Sequence, residues 1–178
     1  MIDARRQSSY LLPLDDESLS HAARWLAETP AADRTVSVAD SVAIVHLAVL
    51  HAAAHQPAWA VELLNEDRWL TSLDADHADT LRIRTRRGRW LAEAGQTQSA
   101  IRHLRSVVTD CERVLGLDHP DTLNSRNNLA GAYQSAGDLR RAIPLFERIL
   151  TDAERVFGHD RPDTLNVRDN LACAYQSA

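Results

Sequence analysis

The chain has 178 residues, a formal net charge of −5, 44% hydrophobic residues, six Gly and six Pro. That length supports a sizeable core, and the composition excludes fibrous and disordered classes. All 20 basic residues are Arg, so neither a G-x-x-x-x-G-K-[ST] phosphate loop nor a Schiff-base lysine is available.

The N-terminus, Met1 to Arg6, leads only into the short apolar stretch Tyr10-Leu11-Leu12-Pro13-Leu14, too little for a signal peptide. An amphipathic helix is predicted over 15–28, with Leu19, Ala22, Ala23 and Leu26 on one face, and Pro30 with residues 31–35 reads as a linker. Residues 1–36 thus form a divergent N-terminal helical segment and linker. Residues 37–75 read as a degenerate helix pair over 38–55 and 57–73. The apolar run 42–54 is too short for a membrane span, and a cytoplasmic protein is expected. His51 and His55 lie one turn apart, as in a metal pair, but Ala52 stands where a metalloprotease would need Glu. Packed or exposed histidines are the simpler reading, and neither a metal nor another cofactor is expected. Cys111 and Cys173, far apart in the chain and without a C-x-x-C, read as reduced small hydrophobes.

From residue 76 the chain repeats itself. Asp79-Thr80-Leu81, Asp121-Thr122-Leu123 and Asp163-Thr164-Leu165 recur every 42 residues. Residues 116–136 match 158–178 at 16 of 21 positions, and 74–94 match 116–136 at 7 of 21. A fixed period of this size marks a stack of supersecondary units. Each unit reads as two helices. In the second, Pro120 and Asp121 suit the first turn of helix A, and Gly137 suits its left-handed C-terminal cap. Helix B then runs from Leu139 towards Val156, with Pro144 predicting a kink or an early helical position. The predicted pairs make repeat 1 (76–117), repeat 2 (118–159) and a repeat 3 (160–178) with helix A only. Leu165, Leu171, Ala172 and Tyr175 would then be uncovered, which points to a truncated product, a fragment, or a second chain over that face.

At Leu129-Ala130-x-x-Tyr133-x-x-x-Gly137-x-x-x-x-Ala142-x-x-x-Phe146-x-x-Ile149-Leu150 the chain resembles a tetratricopeptide repeat. The 42-residue period, the Gly-x-Asp-His-Pro-Asp-Thr-Leu turn and Asn127-Asn128-Leu129-Ala130 resemble the kinesin-light-chain subclass. The first unit departs from the pattern, with Arg87-Gly88 at the Leu129-Ala130 positions and Leu91 for Tyr133. Arg84, Arg126 and Arg168 stand where an aromatic is often found. The resemblance implies an all-α, right-handed superhelical solenoid of antiparallel helix pairs, whose concave groove is lined by helix A.

Projection by the repeat places Arg82, Thr85, Arg86 and Arg89 in that groove from the first unit, and Asn124, Asn127, Asn128, Gln134 and Ser135 from the second. The third supplies Asn166, Asp169, Asn170 and Gln176. Amides suit the backbone of an extended peptide, and Arg forks suit carboxylate or phosphate. By resemblance, Asn128 and Asn170 hold the place of a peptide-binding groove asparagine; the alternative is that they only tie adjacent helices together. Residues 82–105 carry seven Arg against the lone Glu93. This patch reads as a solvated helix face, an acidic-peptide pocket or, third, a phosphate-backbone site. Acidic flanks and missing aromatics disfavour nucleic acid.

No nucleophile elbow, dinucleotide fingerprint or convergent acidic pair appears, and no enzyme activity is expected. The expected function is a protein–protein interaction scaffold that captures a peptide, possibly acidic, or a partner helix in the groove, with no membrane partner. The resemblance also allows a detached sensor arm of a bacterial multidomain signalling ATPase. A third reading is a self-assembling module, a homo-oligomer through the uncapped C-terminal helix.

Overall fold

The computed structural model describes Val61 and residues 74–178, and the chain divides into two compact units, Met1–Ile83 and Arg84–Ala178. The N-terminal segment 1–36, the His51/His55 pair and most of the 37–75 helix pair lie outside the described residues. Helix α1 (Ala78–Glu93) begins in the first unit, where the ring Nδ1 of His77 accepts from the Asp79 amide at 3.1 Å. The second unit holds the rest of α1 and four further helices, α2 (Thr97–Leu115), α3 (Pro120–Ser135), α4 (Leu139–Phe157) and α5 (Pro162–Gln176). Every regular element among the described residues is helical.

Helix ends follow the local chemistry. His119 caps α3, its ring Nδ1 accepting from the Asp121 amide at 3.1 Å, and Pro120 occupies the first turn without wasting a donor. At the other end Gly137 takes φ +73, which lets its own amide bond Gln134 O at 2.9 Å and the Asp138 amide bond Tyr133 O at 2.9 Å. This reciprocal cap satisfies the last carbonyls of α3. Asp138 turns the chain at once into α4, its carboxylate accepting from the Arg141 amide. Helix α4 runs unbroken through Pro144, its sixth residue, so the missing N–H leaves the Arg140 carbonyl without its helical donor.

Amphipathic α2 and α4 each bury one stripe, in α4 Ala142, Phe146, Ile149 and Ala153. Helix α3 behaves differently. It is packed by α2 on one side and α4 on the other, and buries Leu123, Leu129 and Tyr133 as well as Ser125 and Ala132. Only a narrow polar strip stays open. Helix α5 packs on α4 and touches α3.

The 42-residue repeat is also a repeat of bonds. Thr122 donates to Cys111 O at 3.3 Å, and its counterpart Thr164 reaches Ala153 O at 3.5 Å and Gly158 O at 2.8 Å. The Thr of the recurring tripeptide is thus a buried tie to the preceding helix. The arginines in the aromatic position form a second series. Arg84 pairs with Asp110 at 2.8 Å, and Arg126 pairs with Asp152 at 3.5 Å, in both cases on the helix that follows. Arg126 also reaches back to Glu112 of the preceding helix at 2.7 Å, as Arg168 does to Glu154 at 2.9 Å. A guanidinium with two carboxylates replaces ring packing, because its fork can bond the helices on both sides.

Candidate functional site

The strip that α3 leaves open joins the matching strip of α5 to form a concavity of about 880 Å³ in the second unit. Its wall from α3 comprises Asn124, Asn127, Asn128 and Gln134, and α5 adds Asn166, Asn170 and Cys173. Arg89 and Glu93 of α1 close one end, joined to each other by an ion pair of 2.7 Å. A smaller recess of about 210 Å³ opens from the same Asn124, Asn127 and Asn166. Leu123, Ala153, Phe157 and Val167 give it an apolar lining, and Asp121 and Asp163 stand among its polar residues.

Asn170 Nδ2 donates to Asn127 Oδ1 at 3.2 Å, between neighbouring repeats, and holds α5 beside α3. The helix-tie reading therefore applies to Asn170. Asn128 differs, since its side-chain amide, like those of Asn124 and Asn166, bonds no other described residue. Three amides with spare donors and acceptors face one trough, a surface suited to a peptide main chain.

The residues projected into the groove do not all meet there. Seven of the ten candidates line the concavity: Arg89, Asn124, Asn127, Asn128, Gln134, Asn166 and Asn170. Arg82 belongs to the first unit and pairs with Asp79 at 2.8 Å. Arg86 and Asp169 are exposed and lie outside the lining, while Thr85 is buried. Helical projection marks a face but not which part of it another helix covers. Cys173 was not singled out from sequence, although it occupies the position of Gly131, which also lines the trough. Among the described residues no group of three or more His, Cys, Asp or Glu is placed to hold a metal, and no helix is long and apolar enough to cross a membrane.

Stacked antiparallel helix pairs that leave their first helices lining a trough define the class of helical repeat proteins. The profile of the tetratricopeptide repeat matches residues 79–155 and 127–178, more than half of the chain. The chain belongs to the tetratricopeptide-repeat family, and its long repeat is of the kinesin-light-chain-like kind. It is similar to two crystal structures of nearly identical TPR-like repeats from a Podosopora anserina protein described as a kinesin light chain. One is a single-substitution variant, with TM-score 0.68, 26% identity, and coverage of 89% of this chain and 74% of that one. The other has TM-score 0.67, 26% identity, and coverage of 89% and 75%. No curated protein matches. Repeats of this family in general mediate protein–protein interactions, and the fold is typically a non-catalytic scaffold.

Proposed function

We propose that the chain is an interaction scaffold that holds an extended peptide segment of a partner protein in the trough between α3 and α5. The observation that carries this reading is the set of unbonded amides of Asn124, Asn128 and Asn166 in one concavity. Asn offers a donor and an acceptor together, which matches the alternating N–H and C=O of a main chain without demanding a sequence. The adjoining recess, with its apolar lining, would seat one side chain of the peptide. Arg89 is already paired with Glu93, so a preference for acidic peptides would fall to Arg86, which is exposed and pairs with no other described residue.

A random-peptide display library panned against the whole chain tests this. Selected peptides should lose about tenfold or more in affinity on Asn128→Ala, the loss of one or two hydrogen bonds, with the helical signal unchanged. Arg86→Glu should weaken only those peptides that carry acidic residues. A library that yields no binder, or binders indifferent to Asn128→Ala, would remove the trough from the account.

A further inference from the structure

Helix α5 copies α3 but lacks the cover that α3 has. Leu123 is 3% exposed and its counterpart Leu165 is 41% exposed; Tyr133 is 8% and Tyr175 is 53%. The side chain of Arg126 is 13% exposed against 44% for Arg168. Ala130 is fully buried, whereas Ala172 is exposed. Other counterparts keep their cover: Val167 and Ala174 of α5 are buried, like Ser125 and Ala132 of α3. The comparison separates two faces. One looks back to the preceding helix, and the other is the face that α4 covers on α3.

The covered example shows what fits. Helix α4 brings Asp152 to Arg126 at 3.5 Å and sets the Arg141 guanidinium 5.2 Å from the centre of the Tyr133 ring. Its buried stripe is Ala142, Phe146, Ile149 and Ala153. On α5, Arg168 already holds its backward partner Glu154, as Arg126 holds Glu112. What Arg168 lacks among the described residues is the forward carboxylate that both Arg84 and Arg126 have.

We propose that the open face of α5 is a docking site for an amphipathic helix of a partner chain, patterned Ala-x-x-x-Phe-x-x-Ile-x-x-Asp as in α4. The Ala permits close approach at Ala172, the two apolar residues cover Leu165, Leu171 and Tyr175, and the Asp completes the pair with Arg168. A second copy of this chain does not offer such a helix. Helix α4 carries the pattern and α2 a variant of it with Leu104 and Val107, but Leu104, Val107, Phe146 and Ile149 are all at most 1% exposed, so presenting either stripe would require unpacking a core. This site is separate from the trough and stands or falls independently of the peptide reading.

A fluorescently labelled synthetic peptide spanning residues 138–158 is the probe, titrated into the whole chain and followed by anisotropy. Saturable one-to-one binding is expected. Arg168→Glu should weaken it about tenfold, with recovery when the peptide carries Asp152→Arg. Tyr175→Asp should weaken it by about thirtyfold or more, as for a central interface residue. Both positions are exposed, so circular dichroism should show the fold unchanged, and Asn128→Ala should leave peptide binding intact. No binding up to millimolar peptide, or binding indifferent to both α5 variants, would overturn the proposal. So would self-association of the chain that depends on Tyr175 and excludes the peptide, which would assign the face to a second copy.

Discussion

A Cβ added at Gly88 would lie 2.4 Å from Leu104 Cδ2 and 2.5 Å from Leu104 Cγ. Leu104 is fully buried and has nowhere to retreat. The same two places in the next repeat hold Ala130 and Phe146, so the first pair exchanges a methyl on one helix for a different side-chain shape on the other. Gly88→Ala sets two effects against each other. Ala gains about 1 kcal/mol over Gly in a helix interior, and overpacking a filled core costs about 1–3 kcal/mol. Immobile Leu104 should let the steric effect win, with a net loss on urea unfolding. Adding Leu104→Phe should recover part of the loss by restoring the pairing of the second unit. A Gly88→Ala chain more stable than its parent would show that α1 and α2 separate freely here. From sequence, Arg87-Gly88 reads only as a departure from the family pattern. Its reason lies in a contact with the next helix, which periodicity along one helix does not reveal.

The five helices are legible in the sequence because each is punctuated by chemistry that acts locally. Pro120 and Pro162 start helices, and Gly137 ends one by adopting a φ that other residues resist. The bonds between helices are less legible. The arginine pairs to the following and preceding helices require knowing which helix lies on which side. Thr122 likewise looks merely small and polar until its reach back to the Cys111 carbonyl is seen. These surface pairs have a pH signature. The Arg155 guanidinium bonds Asp118 through two nitrogens, at 2.9 and 2.6 Å, and that bond holds the Asp118 carboxyl below the usual range. Arg168 first and His159 second do the same for Glu154. A carboxylate whose pKa is lowered by folding stabilises the fold above its unfolded pKa of about 4. That contribution disappears as the pH falls through the lower folded value. Melting temperature should therefore drop on acidification below about pH 4. The slope should be shallower in high salt and in Asp118→Asn, since the groups are exposed. An Asp118→Asn variant with the parent's acid slope would mean that this pair contributes nothing to stability in solution.

At the scale of the second unit, the helices are held by their neighbours, so stability should be shared out by how many neighbours each has. Helix α3 has α2, α4 and α5 against it, whereas α5 has α4 and a lesser contact with α3 among the described residues. Near-identity of the two sequences makes them a controlled pair, since 16 of 21 positions agree and intrinsic helix propensity is almost the same. The candidate site follows the same logic. Seven of ten residues projected from sequence share one trough because α3 and α5 repeat each other side by side, and Arg82 and Arg86 fall outside it because the degenerate first unit does not extend that surface. Any difference in local opening between α3 and α5 must then come from packing. Hydrogen exchange followed by mass spectrometry should find the amides of α5 opening at a lower free energy than their counterparts in α3, because α5 lacks the cover that buries Leu123, Ala130 and Tyr133. The residues that face back, Val167 and Ala174, should limit the difference to partial opening and leave some protection along α5. Equal protection of the two helices would show that cover on one side is enough, and that the apolar side chains exposed on α5 cost the fold little.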